Sequence, residues 1–149
     1  FEPHDSLHIP RTANFLNWRF FSNPLQHYLV FGVWVDDQPA GYVVLKLRRQ
    51  AGRVSGHFVD LATSPADRDV AVSTLFSSAF DMFVWQGVDV ISCWSFKTDP
   101  FHQMLVKAGF EQTGFTTHFG YRLTREAPLA TLDMQITGTL LWPILMLSD

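Results

Sequence analysis

The stretch that decides the fold runs from Phe58 to Phe83 and reads F-V-D-L-A-T-S-P-A-D-R-D-V-A-V-S-T-L-F-S-S-A-F-D-M-F. Its opening, 58–62, is short and mostly apolar and predicts a strand. Thr63 or Ser64 can then cap a helix, with Pro65 in its first turn. Apolar residues follow at roughly helical spacing and predict the buried face of that helix: Val70, Leu75, Phe76, Ala79, Phe80 and Phe83. A strand that leads into a helix N-terminus is suited to bind a phosphate.

The same stretch resembles the acyl-CoA binding segment of the GCN5-related N-acetyltransferases (GNAT), which typically reads L-A-V-x-P-x-x-R-G-x-G-x-G. Leu61, Ala62, Pro65 and Arg68 fall in register, and Asp69 stands where the family has its first glycine. In the family the backbone amides of this turn bind the CoA pyrophosphate, which a carboxylate would repel. The resemblance implies acetyl-CoA, or another acyl-CoA, as cofactor. The residues implied in binding it are Leu61, Ala62, Thr63, Arg68, Asp69, Val70, Ala71, Val72 and Ser73.

The resemblance also implies catalytic residues. A carboxylate or histidine deprotonates the amine in this family, and Asp60, directly before Leu61-Ala62, matches that position. His57 is the second candidate base, although strand alternation predicts it on the opposite face from Asp60. The segment 105–115, L-V-K-A-G-F-E-Q-T-G-F, is similar to the family's Y-x-K-x-G-F-x-x-x-G-F and places Leu105 where the proton-donating tyrosine usually lies. His102, one helical turn earlier, is the candidate replacement donor.

Composition excludes several classes of protein. Of the 149 residues, 47% are hydrophobic and 15% aromatic, which predicts one well-packed domain. A net charge of −3 gives no reason to expect nucleic acid or an anionic membrane as partner. The single cysteine, Cys93, indicates a reducing, cytoplasmic location, and the six histidines show no metal-ligand spacing. Because the chain begins at Phe1 without methionine, we expect a piece of a longer protein.

Three parts of one domain are predicted along the chain. Residues 1–26 form an N-terminal linker and a short helix over 12–22, and 27–123 form the acetyltransferase-like core. Residues 124–149 hold an apolar final strand or a segment that packs on the core. The core alternates three strands (27–35, 40–47 and 53–62), the long helix, a strand at 88–94 parallel to the third, a helix from Asp99-Pro100, and a strand from 113 to 123.

The predicted fold class is therefore α/β, with a GNAT-like, mixed and mostly antiparallel sheet of six or seven strands and helices on both faces. Two functions remain open. One is an acyl-CoA-dependent N-acetyltransferase for a small amine or amino-sugar acceptor, since 11–28 also resembles a segment of acetyltransferases from bacterial surface-polysaccharide gene clusters. The other is a non-catalytic GNAT-like module that serves assembly or substrate binding, beside a second GNAT-like domain or a second copy of the chain.

Overall fold

The computed structural model describes residues 11–96, 100–117 and 140–146. The elements are three α-helices and seven strands: α1 (Ala13–Leu16, continued by a π-helical turn Asn17–Phe21), β1 (Leu29–Val35), β2 (Gln38–Gln50), β3 (Arg53–Thr63), α2 (Arg68–Trp85), β4 (Val90–Cys93), β5 (Ser95–Phe96), α3 (Pro100–Lys107), β6 (Glu111–Thr117) and β7 (Leu140–Met146). The predicted linker at 125–128 and the start of the second helix at Asp99 lie outside the described residues.

All seven strands belong to one sheet in the order β1-β2-β3-β4-β7-β5, and β6 also pairs with β7. Among the described strands only the β3–β4 pair is parallel, as predicted from the strand–helix–strand spacing. The apolar C-terminal run contributes β7, which is antiparallel to β4 at Ile91↔Leu145 and to β6 at Glu111↔Ile144. The predicted class, a mixed and mostly antiparallel sheet with helices, is confirmed.

Tight turns join the first three strands. Asp36 and Asp37 both have positive φ angles, 48° and 60°, as a two-residue hairpin turn with the twist of the sheet requires. Helices α2 and α3 are each followed by a glycine with a positive φ angle, Gly87 and Gly109. At the end of α2, Gly87 N–H donates to the Val84 carbonyl and Val88 N–H donates to the Phe83 carbonyl. These two hydrogen bonds satisfy carbonyl groups of the last helical turn, and the chain then turns into β4.

One face of the sheet, here called the aromatic face, carries the core. Phe58 of β3 is the centre of an aromatic cluster and packs edge-on against Phe76 and Phe83 of α2, with ring centroids 5.3 and 5.5 Å away. Phe110 lies 6.1 Å from the same ring, and Phe101 of α3 stacks on Phe76 at 5.5 Å. Helices α2 and α3 therefore share this face of the sheet.

The opposite face, here called the polar face, is covered by the N-terminal segment. Phe20 of the π-helical turn is buried and packs edge-on against Tyr28 at 5.2 Å. Thr12 caps α1 through its side chain, which accepts a hydrogen bond from Phe15 N–H. Helices thus lie on both faces of the sheet.

The predicted start of α2 is wrong. Thr63 is the last residue of β3, and Ser64 N–H donates to the Ala40 carbonyl at 2.7 Å, so β-type pairing extends past both candidate caps. The helix begins at Arg68 with Asp67 in the N-cap position and without a side-chain cap. Pro65 therefore lies in the turn before the helix. Of the predicted apolar helix positions Val70 is 63% exposed, whereas its neighbours Ala71 and Val72 are buried.

Candidate functional site

The site begins where β3 and β4 stop pairing. Their parallel register runs from Ser55↔Val90 to Phe58↔Cys93 and ends there. Strand β3 continues for five more residues, 59–63, which pair with β2 alone among the described strands. One edge of this segment is consequently left without a strand partner in the described part of the chain. We call residues 59–63 the open edge.

The register with β2 shows which amides of the open edge are available. Ser64 N–H donates to the Ala40 carbonyl, so these two residues form a hydrogen-bonded pair. In an antiparallel ladder every second pair is hydrogen-bonded, and the next such pairs are Tyr42↔Ala62 and Val44↔Asp60. The N–H and C=O groups of Leu61 and Thr63 point away from β2 by the same alternation. The open edge therefore presents the backbone of Leu61 and Thr63 to a ligand.

Four residues, 64–67, separate the open edge from the start of α2. Ala71 N–H makes the first helical bond, to the Asp67 carbonyl at 2.8 Å, so the amides of Arg68, Asp69 and Val70 precede the helical bonding pattern. These are the amides that the positive end of a helix offers to an anion. The Ala71 amide, by contrast, is already engaged within the helix.

The side chains of this turn divide between surface and core. Arg68, Asp69 and Ser73 are exposed, whereas Ala71 and Val72 are buried against the sheet at 0% and 2% exposure. The Asp69 carboxylate is thus in solvent, on the first turn of the helix. The small residue at Ala71 is accounted for by packing as well as by the resemblance.

A β-bulge brings the two candidate bases together. The pairing shifts between Val44↔Asp60 and Leu45↔Phe58, which leaves Val59 as an extra residue in β3. Beyond the shift Lys46 pairs with His57. Since paired residues share a face and Val44 and Lys46 are two apart, His57 and Asp60 lie on the same face. The prediction that they lie on opposite faces is wrong, because simple alternation ignores the bulge.

Asp60 is held on the polar face by two side chains. Its Oδ1 accepts from Arg11 Nη2 at 2.9 Å in an ion pair, and its Oδ2 accepts from the Tyr42 hydroxyl at 2.8 Å and from Arg11 Nε at 3.3 Å. Burial, and then the carboxylate, raise the pKa of Tyr42 above its ordinary value, so this hydroxyl keeps its proton. The two carboxylate oxygens have room for about one further hydrogen bond.

His57 lies farther along the same face. Its Nδ1 is 2.6 Å from the Ser92 hydroxyl of β4, and the side chains of Lys46 and Arg48 are near. Burial first, and then the two cations, lower the pKa of His57, so the neutral imidazole is favoured. A neutral histidine can accept a proton, and the contact with Ser92 fixes the orientation of the ring.

The candidate donor His102 is separate from this pair in the hydrogen-bond pattern. It lies on α3, and its Nδ1 is 2.9 Å from the hydroxyl of Ser95, a residue 3% exposed on β5. Leu105, at the usual tyrosine position, is completely buried in the core. The structure therefore gives Leu105 a packing role and leaves His102 as the polar group on this part of α3.

Four partners escaped sequence reasoning: Arg11, Tyr42, Ser92 and Ser95. The Arg11–Asp60 contact joins residues 49 positions apart, and His57–Ser92 joins residues 35 apart. No local pattern reports such pairs. For Tyr42 alone there was an indication in the sequence. Tyr42 and Val43 are consecutive in β2 and so lie on opposite faces, and β2 pairs with β3, the strand that carries Asp60. In the described residues no group of three His, Cys, Asp or Glu side chains could hold a metal ion.

Solved structures similar in fold to this chain include acetyltransferases. The ribosomal-protein-S18-alanine N-acetyltransferase from Escherichia coli matches 95% of this chain and 80% of its own, at 12% identity and a TM-score of 0.65. The fold is that of the GNAT acetyltransferases.

Two further structures with this GNAT fold widen the comparison. An aminoglycoside acetyltransferase from an uncultured soil metagenomic sample, in complex with trehalose, matches 81% of this chain and 80% of its own, at 16% identity and a TM-score of 0.57. A chain of the NatC complex bound to Gag peptide and CoA matches at 19% identity and a TM-score of 0.53; the match covers 78% of this chain and 66% of that one. No protein-family model and no curated protein sequence matches this chain.

Proposed function

We propose that this domain is an acyl-CoA-dependent N-acetyltransferase that acts on a small amine or amino-sugar acceptor. The observation that carries the proposal is the open edge, where β3 loses its parallel neighbour after Phe58 and leads within four residues into the N-terminus of α2. An extended chain of amide groups with a pyrophosphate at one end fits a free strand edge that leads to a helix N-terminus.

The residues present fit the cofactor. The backbone of Leu61 and Thr63 would bind the extended pantetheine arm, and the amides of Arg68, Asp69 and Val70 would bind the pyrophosphate beside the Arg68 side chain. The exposed Asp69 carboxylate would repel the pyrophosphate and lower the affinity for acyl-CoA. It would not block the backbone amides of this turn, because the side chain is in solvent. When bound, acyl-CoA supplies an activated acyl thioester. The chain's own residues must then position and deprotonate the amine.

Asp60 is the proposed base. It lies at the first β2-paired residue of the open edge, on the polar face, and its carboxylate retains one hydrogen-bonding position for an ammonium group. Arg11 and Tyr42 hold the carboxylate in one orientation. His57 is on the same face and is favoured in its neutral form, so it is the second group able to accept a proton. His102, oriented by Ser95, is the proposed proton donor.

The acceptor class rests on two similarities. One of the structures with this fold is an aminoglycoside acetyltransferase, and the segment 11–28 resembles acetyltransferases of polysaccharide gene clusters. We also propose, on the resemblance alone, a cytoplasmic protein of bacterial type. In the described residues no helix is long and apolar enough to cross a membrane.

The alternative function, a non-catalytic GNAT-like module beside a second such domain or a second copy, is favoured by two observations. Leu105 is buried where the family has its donor, and Asp60 is already ion-paired with Arg11. This alternative requires that the open edge and the start of α2 have lost their affinity for CoA.

Calorimetric titration of the 149-residue chain with acetyl-CoA decides between the two, with Asp69→Gly as the test variant and Asp67→Gly as a control on the same turn. The enzyme proposal predicts binding by the natural chain and about tenfold tighter binding by Asp69→Gly, since two like charges about 4 Å apart repel by about 1–4 kcal/mol at a protein surface. Absence of binding by every variant would overturn the enzyme proposal and leave the module.

A further inference from the structure

The polar face carries a second polar feature besides Asp60, a row formed by Lys46, Arg48 and His57. We call these three residues the cationic row after its two cations, Lys46 and Arg48; His57 is favoured in its neutral form. Lys46 pairs directly with His57 across β2 and β3, and Arg48 is two residues along β2, so all three share one face. Lys46 and His57 are half-buried, and Arg48 is exposed.

The charge of the cationic row is not balanced by the described residues around it. Lys46 Nζ donates to the Gln26 amide oxygen and lies 6.0 Å from the centroid of the Tyr28 ring, and both partners are neutral. Within residues 11–96, 100–117 and 140–146 the recorded ion pair joins Arg11 to Asp60, which engages the carboxylate on this face.

The acidic residue next to the start of β4 does not neutralise the row either. The Asp89 carboxylate accepts a hydrogen bond from Val54 N–H at 2.7 Å. Val54 precedes Ser55, the residue that pairs with Arg48, and its side chain lies on the other face of the strand. A half-buried ammonium group without a carboxylate partner is unfavourable, and an external anion would stabilise it. The row is therefore suited to a negatively charged ligand.

The spacing relates the cationic row to the proposed base. Asp60 pairs with Val44, and Lys46 is two residues farther along β2 on the same face. Two residues of a strand span about 7 Å, a distance that a small molecule with one functional group at each end can bridge. An acceptor whose amine binds Asp60 can thus place its other end at Lys46.

We propose that the cationic row binds an anionic group of the acceptor, so that the substrate class is a small amine that also carries a carboxylate or phosphate. The inference rests on the proposed function only in placing the amine at Asp60. Lys46 and Arg48 supply the positive charge, and His57, held by Ser92, lies beside them on the same face. A polyamine, or an amino sugar without an acidic group, would leave the row unsatisfied.

The test compares two probes of the same length by calorimetry on the full chain without cofactor: 4-aminobutanoate and its neutral amide, 4-aminobutanamide. We expect the carboxylate to bind about tenfold or more tightly than the amide, which is the effect of one or two charged hydrogen bonds. The double variant Lys46→Gln/Arg48→Gln should remove this preference. Arg48→Gln alone, at an exposed position, should reduce it and provides a variant with little risk to folding.

Arg53→Gln is the matched control for Arg48→Gln, because Arg53 is an exposed arginine at the first residue of β3 and its replacement also removes one positive charge. It should keep the preference. Equal binding of the two probes, no binding of either at millimolar concentration, or an equal loss in Arg53→Gln would each overturn the proposal. Acetyl-CoA titration of the same variants separates the two ideas: a retained carboxylate preference without acetyl-CoA binding contradicts the enzyme and leaves the anion site standing.

Discussion

The two faces of the sheet differ in what their residues do. On the aromatic face, Phe58, Phe76 and Phe83 are all at most 8% exposed, and Phe58 makes edge-on ring contacts with the other two. On the polar face, Asp60 and His57 are half-buried and contact residues far away in sequence. Phe58 on the aromatic face and His57 and Asp60 on the polar face all belong to β3. A single strand thus contributes both to the core and to the candidate site.

The β-bulge at Val59 makes this division work. Without the extra residue Asp60 and Phe58 would point in the same direction, because positions two apart share a face of a strand. The bulge inverts the alternation after Phe58, so the carboxylate leaves the core and joins His57. Bulges of this kind re-aim side chains next to active sites in other proteins.

The largest expected effect is on the aromatic face. Phe83→Ala removes a completely buried ring that contacts Phe58, and should lower the free energy of unfolding by about 3–5 kcal/mol. Urea denaturation followed by circular dichroism measures it. Val84→Ala is the control, since Val84 is 66% exposed on the same helix and should change stability by less than about 0.5 kcal/mol. Equal effects of the two variants would contradict the assignment of the core.

On the polar face the expected loss is in turnover. Asp60→Asn keeps the shape of the side chain but cannot accept the proton of the amine, and should slow acetyl transfer about 10²–10⁴-fold. Release of free CoA thiol with a panel of amine acceptors measures the rate.

Arg11→Gln is the control for Asp60→Asn, because it breaks the same ion pair and retains the carboxylate. It should lose far less activity. If Arg11→Gln and Asp60→Asn were equally slow, Asp60 would have only a structural role.

A smaller effect should come from the close approach of the helix to β3. A Cβ added at Gly56 would lie 2.6 Å from Cε1 of Phe83, so Gly56→Ala should cost about 1–3 kcal/mol of stability. The cost should fall in a Phe83→Leu background, where the ring edge is absent, and a double-mutant cycle by urea denaturation measures the difference. An unchanged cost in that background would show that Gly56 is required for another reason.

The smallest effect concerns pH. The pKa of His57 is lowered by burial and by Lys46 and Arg48, while Ser92 is its neutral partner. The unfolded chain therefore binds this proton more readily, and stability falls as the pH drops below about 6.5 and through the folded pKa. NMR titration of the imidazole should give a midpoint below 6.5, and His57→Gln should flatten the acid side of the stability curve. A midpoint above 6.5 would contradict the packing around His57.

Local sequence patterns predicted much of the fold. Alternation and turn residues correctly indicated β1 to β3 and the parallel crossover, because these features depend on neighbouring residues. The start of α2 was mispredicted, since Ser64 pairs with Ala40 across the sheet and that contact outweighs a local capping preference.

The arrangement of the site was less accessible to sequence. Asp60 and His57 could be selected from their residue types and their position before Leu61-Ala62, but their shared face depends on a bulge that no motif marks. The partners Arg11 and Ser92 come from segments that only the folded sheet brings near.

The most direct test of the central claim is to follow backbone amide NMR signals of the open edge while acetyl-CoA is added. Leu61 and Thr63 should shift most, together with Arg68, Asp69 and Val70, because their N–H groups face away from β2 or precede the helical bonds. Asp60 and Ala62, which are paired with β2, should shift less. Large shifts at Asp60 and Ala62 with none at Leu61, Thr63 or the start of α2 would contradict the proposed cofactor site.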